Sequence, residues 1–386
     1  MASLEFNWRS TTKEMAASVY NLLTLDAFTP RCMMKLSFDG MQTSAEAIRL
    51  ITPWRETRLV WREFQNKLEA FSLFAFVDSA LQIPRQREVR LRDLVKKTDA
   101  LEPYRALWTT EGLGYYVGME FWEQGKGPQD LLADQSKELP ERSLVALHTG
   151  MGMAIASRLI ETVRSGSDEF EIRRALEQFV TACRDNSKTG YTGAAYESLG
   201  LVTRTLYPQM VMKLDQQLRK LDQDLSGYFW HGVGRGIYFA PVNFLPDGNS
   251  LEHAMRMAGE QPPHELGRRN ALAGLAWAMM LVNLRHPEII ENFLKRQGDQ
   301  LADREAFVNG VISSLMIWRD STGDDTCLKA ILDYQSESSD KTAAERWERM
   351  VRHPCLEALE YVYPVLKEHQ RLDEVFQYRD LSELTQ

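Results

Sequence analysis

The chain has 386 residues, 44% of them hydrophobic and 26% charged, which is enough for two or three ordinary domains or one continuous repeat body. Its 54 acidic residues outnumber its 46 basic ones, and the net charge of −8 argues against non-specific nucleic-acid binding by the chain as a whole. Cys32, Cys183, Cys327 and Cys355 are isolated, without a C-x-x-C pair, which argues against a zinc finger or dithiol redox motif and fits a reducing, cytoplasmic setting.

In chain order, Glu5, Arg9, Lys13 and Glu14 interrupt what a signal peptide would need at the start. Residues 1–100 are predicted as an N-terminal helical region. Within Arg55–Leu81, the residues Val60, Phe64, Leu68, Phe71 and Ala75 recur at three- and four-residue steps as one apolar stripe. From Arg85 to Lys97 six basic residues face two acids, and Leu91, Leu94 and Val95 give the stretch an apolar side. It reads as a solvated helix face or as a dock for an acidic partner such as a carrier domain.

The helical period continues through Leu144, His148, Met151, Ile155 and Leu159, then more loosely through Phe170, Ile172, Leu176 and Phe179. Loops are predicted at Gly125–Gln129, Asp185–Gly193, Pro241–Ser250, Asp320–Asp325 and Gln335–Lys341. Gln261-Pro262-Pro263 precedes another helix. The apolar run Ala271–Val282 is too short to span a bilayer and reads as a buried helix. Thr342-Ala343-Ala344-Glu345 has the form of a capping box, and His353-Pro354 is expected to end the helix it opens. Residues 301–386 form a C-terminal helical extension. The sixteen methionines cluster, as in Met151/Met153 and Met279-Met280, and fit either core filling or an adaptable apolar ligand pocket.

One short pattern recurs through the middle of the chain. Glu111-Gly112-Leu113-Gly114, Thr149-Gly150-Met151-Gly152, Glu197-Ser198-Leu199-Gly200, His231-Gly232-Val233-Gly234 and Ala271-Leu272-Ala273-Gly274 start 38, 48, 34 and 40 residues apart. A helical glycine costs roughly 1 kcal/mol relative to alanine, so a recurring cost needs a recurring benefit. Close approach of a neighbouring helix or of a ligand supplies one. The spacing predicts an all-α, solenoid-like helical-repeat array of about five to seven helix hairpins, its core at residues 101–300. His231-Gly232-Val233-Gly234-Arg235-Gly236 also has the look of a phosphate loop. The stretch before it, Met210–Leu225, is helix-periodic rather than strand-like, and no P-loop Lys-Ser/Thr follows.

These motifs resemble a known family. Arg105–Gly114 is similar to the "R-x-F-x-x-E-G-A-x-M-G" opening of the proteins of unknown function encoded beside enediyne polyketide synthases. His148–Ala156 resembles their "V-G-V-G-W-A-x-A" segment, His231–Phe239 their "G-I-G-R-A-L-W-F" segment, and Arg268–Trp277 a later "R-x-x-L-x-x-G-A-G-L-A" helix. The likeness covers roughly Leu101 to Arg285. Where that family carries "D-G-Y-G-F-H", this chain has Glu197-Ser198-Leu199-Gly200-Leu201-Val202, keeping the acid but not the aromatics or the histidine. The resemblance implies a cytosolic accessory protein working beside an iterative synthase that makes a linear polyene. It implies as partners an apolar polyketide-like molecule or its carrier-bound form, or the synthase itself, with neither nucleic acid nor membrane insertion.

In the repeat register, Glu111, Thr149, Glu197, His231 and Ala271 are equivalent, and His148 is adjacent. If the units curve round one axis, two Glu and two His converge. That set suits a non-haem iron or manganese ion, a metal-free acid–base pocket, or plain packing. As catalytic candidates, Glu111 and Glu197 are ligands or proton acceptors, His148 and His231 are ligands or acid–base groups, and Arg235 holds a carboxylate of substrate or protein. Trp230, Tyr238, Phe239 and Trp277 are the candidate substrate-lining aromatics. His264, His286 and His353 read as caps or surface residues, and no G-x-S-x-G elbow is present. The functional expectation is an accessory protein binding or modifying a polyene; the competing class is a helical-repeat interaction scaffold without a small-molecule site.

Overall fold

The computed structural model describes residues 30–385 except 84–89, 124, 126, 128, 134–137, 164–165, 299–300, 302 and 336–340. Among the described residues all regular structure is helical, with no strand. The helices are α1 (Pro30–Ile51), α2 (Arg55–Ala75), α3 (Leu91–Asp99), α4 (Pro103–Glu123), α5 (Leu144–Thr162), α6 (Glu169–Asn186), α7 (Thr192–Leu206), α8 (Val211–Leu221) and α9 (Gln223–Tyr238). They continue with α10 (Ser250–Glu260), α11 (Glu265–Val282), α12 (Pro287–Gln297), α13 (Arg304–Thr322) and α14 (Asp325–Leu332). The last long helix, α15, opens at Lys341–Trp347 and runs on to Tyr363–Glu368; one-turn helices lie at Val77–Ala80, Pro241–Phe244 and Leu381–Leu384.

Two kinds of helix alternate. α4, α5, α7, α9, α11 and α13 pack each against the next, and α13 also touches α4 and α5. These are apolar or small nearly all round: α5 is buried at every residue from Leu144 to Ser157. Helices apolar on all sides belong in an interior. α6, α8 and α10 bury one stripe each and flank the inner helices; α8, for example, buries Val211, Leu214 and Leu218 while Lys213, Gln216 and Arg219 face out. One continuous apolar core runs from Ala70 to Leu384, and a small satellite of Ala45, Phe64 and Leu68 sits beneath α1. Glu141–Thr162 is the one described stretch long and apolar enough to cross a membrane; 89% of its apolar window is buried inside the protein.

The glycines stand where inner helices cross. A Cβ on Gly150 would overlap the carbonyl oxygen of Glu111, one on Gly232 that of Glu197, and one on Gly274 that of His231. The facing contacts are Gly200 on Phe229 O and Gly234 on Ala271 O. In each pair the obstacle is backbone, which cannot swing aside. Two further crossings share this geometry: Gly112 lies on the carbonyl of Phe74 in α2, and Gly310 in α13 on that of Ala273. Gly310 has no partner glycine two residues away, so the recurring motif did not reveal it.

Helix starts follow local chemistry. Asp168 and Glu171 form a reciprocal capping box on α6. Asp222 and Asp303 cap α9 and α13, and the His264 ring accepts from the Gly267 amide at the start of α11. α13 stops at Gly323, whose φ of 61° is left-handed.

Three local expectations are corrected. Thr342 lies inside the first turn of α15 rather than before it. His353-Pro354 does not end that helix. A π turn, Glu348–Arg352, lies just upstream, and a second, Ala358–Val362, precedes Pro364. The wider turn contains the i−4 carbonyl that each proline ring would otherwise meet. Phe170 is off the buried stripe of α6, 73% exposed, while Ile172, Leu176 and Phe179 are inside.

After α15 the chain runs across the starts of the inner helices. Asp373 accepts from the Gly193 amide (2.9 Å), Tyr378 N–H donates to Asn270 Oδ1 (2.6 Å), and Asn309 Nδ2 donates to Arg379 O (2.7 Å). Phe376, between them, is buried in the core.

Candidate functional site

Four of the five catalytic candidates meet. Arg235, near the end of α9, donates through Nη1 to Glu197 Oε2 of α7 (2.6 Å) and through Nη2 to Glu111 Oε1 of α4 (3.0 Å). One turn earlier on α9, His231 Nδ1 donates to Glu197 Oε1 (2.8 Å), since a carboxylate can only accept. The Arg235 guanidinium lies over the Trp277 ring of α11, 4.2 Å from its centroid. Phe376 packs edge-on against His231 and obliquely on Trp277. All of these side chains are closed off from solvent.

The electrostatics of the cluster follow from burial and one cation. Burial raises Glu111 above the usual carboxylate range, and the nearby Glu197 charge adds to the rise, which Arg235 only partly offsets. Burial also acts to raise Glu197, but Arg235 and His231 outweigh it and hold that carboxyl below the ordinary value. For Arg235 burial is outweighed by the two glutamates, which push it up. One guanidinium needs one counter-charge: Glu197 supplies it, and Glu111 is the carboxyl that keeps its proton more readily. His231 Nε2, Arg235 Nε and Trp277 Nε1 are buried without a hydrogen-bond partner in the protein.

His148 is elsewhere. Its Nδ1 donates to Leu144 O (2.7 Å) and its Nε2 accepts from the Lys188 amide (3.0 Å), which fixes a neutral imidazole in the Nδ1–H form. The ring stacks on Tyr191. Burial pushes its pKa down to about 4. Nε2 ties α5 to the loop before α7 while Nδ1 is held by the backbone of α5 itself, so neither nitrogen is left for a ligand or a proton transfer.

The aromatic candidates divide. Trp277 belongs to the cluster. Trp230 donates to Asp215 (2.8 Å), which also accepts from Ser226 and faces His264 Nε2. Tyr238 belongs to a second buried network: its hydroxyl donates to Glu63 (3.0 Å) and accepts from Asn283 (2.8 Å), with Lys67 over its ring. Lys67 pairs with Glu63 and donates to Asn243 O. Phe239 is half-buried, edge-on to Tyr238. Glu63 and Lys67 escaped the sequence reading because an i,i+4 Glu–Lys pair looks like a solvated helix face; tertiary contacts with Tyr238 and Asn243 enclose it.

Among the described residues no group of three or more His, Cys, Asp or Glu side chains is disposed to hold a metal ion. In the cluster, Arg235 occupies both carboxylates, and Glu197 occupies His231 Nδ1. The arrangement binds helices: it pins α4, α7, α9 and α11 together through side chains at crossings that the glycines bring close.

On the outside, Arg85 and Arg87 of the basic stretch lie outside the described residues. Of the rest, Leu91, Leu94 and Val95 are buried, Lys97 donates to Leu81 O (2.9 Å), and Lys96 lies 3.8 Å from Asp93. The turn between α1 and α2 is apolar and exposed: Ile51 is 80% and Trp54 70% accessible, with Leu50 beside them. His264 caps α11 as expected, His286 stands ahead of α12, and His353 is exposed on α15. Protein-family models, curated proteins and solved structures give no match to this chain.

Proposed function

We propose that this protein is a helical interaction scaffold whose core cluster holds the body rigid, and that it engages a protein partner through the apolar turn between α1 and α2. In this reading α4, α5, α7, α9, α11 and α13 are the repeat array, one glycine crossing per step. The observation that carries the reading is the closure of the core cluster: Glu111, Glu197, His231 and Arg235 are bonded to one another and shut away from solvent. A reacting centre needs a group that meets substrate, and these meet one another and the buried rings of Trp277 and Phe376.

The turn is the complement of that closed core. Trp is among the residues that dominate interface hot spots, and Leu50 and Ile51 extend the apolar surface beside Trp54. The resemblance to proteins encoded beside enediyne polyketide synthases makes such a synthase, or its carrier domain, the first partner to test. Met151, Met153, Met279, Met280 and Met316 are buried as core filling, while Met34, Met41 and Met212 are exposed.

The test is capture of the purified synthase by the wild type and by an Ile51→Ser/Trp54→Ala variant. Binding lost in a variant of unchanged stability supports the reading. Binding unchanged in that variant, or a long apolar polyene retained by the purified protein, overturns it.

A further inference from the structure

A second polar site lies apart from the core cluster, in a cleft of about 290 Å³ between α1, α2 and the turn before α12. Gln42, Arg62, Gln65, Glu69, Arg285 and His286 are on its walls. The acids around it already have cations. Glu69 is paired with Arg285. Glu46 is paired with Arg49 and accepts from Gln65 Nε2 (2.6 Å). Glu288 faces His286 Nδ1 at 3.3 Å.

Arg62 is the exception. It is half-buried, yet among the described residues its guanidinium makes neither a hydrogen bond nor an ion pair. Burial pulls its pKa below the ordinary value, and the guanidinium of Arg49 pulls it further, with Arg285 contributing less; Glu46 and Glu288 compensate only in part. None of its nitrogens is shut away from solvent, so the five donors of its guanidinium stand without a protein acceptor and open to a ligand. Two more polar atoms on the same walls, Gln65 Oε1 and Arg285 Nε, are buried without partners.

We propose that this cleft binds a small oxyanion, a phosphate or carboxylate group, with Arg62 as its principal ligand and Arg285 as the supporting cation. The planar fork of Arg62 matches two oxygens of either group. The volume limits the ligand to a small molecule or to one charged end of a larger one. The inference stands independently of the scaffold reading, because the cleft uses none of the core cluster and none of Leu50, Ile51 or Trp54.

The experiment is calorimetric titration of the full chain with inorganic phosphate and, separately, with succinate, at constant ionic strength against a chloride control. We expect saturable one-to-one binding of at least one of the two, and the arm that binds identifies the class. Arg62→Ala is expected to weaken it at least tenfold and Arg62→Lys by less, while Arg219→Ala on α8 leaves it unchanged. Arg62→Ala removes no bond within the protein, so its melting temperature without anion is expected to match the wild type. Failure of both anions to bind saturably, or equal affinity in wild type and Arg62→Ala, would overturn the proposal.

Discussion

Arg235 donates to Glu111 across 124 residues of sequence. The helices that carry them, α9 and α4, are separated in the packing order by α5 and α7. The bond closes only because the succession of inner helices wraps round a shared interior.

That geometry makes the two glutamates unequal. Glu197 is the counter-ion of Arg235 and the acceptor for His231, so Glu197→Gln leaves a buried cation short of its partner. The expected loss is about 3–5 kcal/mol in chemical denaturation at pH 7. Glu111 holds its proton more tightly folded than unfolded, so its ionisation subtracts stability as the pH rises past 4.5. Glu111→Gln mimics the protonated form and is expected to cost no more than about 1 kcal/mol. Equal losses for the two variants would contradict the asymmetry.

His148 gives a pH dependence of definite sign. Its pKa falls from 6.5 to about 4 on folding, so the unfolded chain takes up a proton first. Stability from this group is fully present above pH 6.5 and is lost as the pH falls toward 4, by roughly 3 kcal/mol in all. Imidazole nitrogen shifts in NMR are expected to report a neutral Nδ1–H ring at pH 5.5. A ring that titrates near 6.5 in the folded protein would rule this out.

The crossings predict which glycines matter. Gly232→Ala and Gly234→Val drive a side-chain atom into backbone and are expected to cost at least about 2 kcal/mol each. Gly40, also helical, has open space where its Cβ would be. Gly40→Ala is therefore expected to stabilise by up to about 1 kcal/mol. Equal effects at the three positions in urea titrations would show that the crossings are not close-packed.

Phe376 anchors the segment that crosses the helix starts. Phe376→Ala removes its packing on His231 and Trp277 and is expected to cost about 3–5 kcal/mol. Limited proteolysis is expected to cut the variant after α15 well before the wild type. Identical cleavage patterns would mean that other contacts hold the segment.

The inner helices were legible because their signal is local: a small residue, an apolar residue and a glycine mark a crossing wherever they recur. Glu111, Glu197 and His231 shared a register, so their meeting followed from curvature that the sequence implies but cannot measure. His148 occupied nearly the same register yet turned to the backbone of its own helix and the Lys188 amide, a difference of one residue in helical phase. The Glu63–Lys67–Tyr238 network and the unpartnered Arg62 were not legible. Each depends on what a distant segment brings to an otherwise ordinary charged helix face.

The central proposal is that the buried cluster supports the fold rather than meeting a substrate. The direct test replaces it whole, as Glu111→Leu/Glu197→Leu/Arg235→Met/His231→Phe, and measures unfolding free energy together with synthase capture. Buried ion pairs exchanged for apolar side chains of similar volume are often neutral or stabilising. The account predicts a folded variant, within about 2 kcal/mol of the wild type, that captures the proposed synthase partner to the same extent as the wild type. A variant that folds with native stability but has lost capture or product formation in the pathway would contradict it.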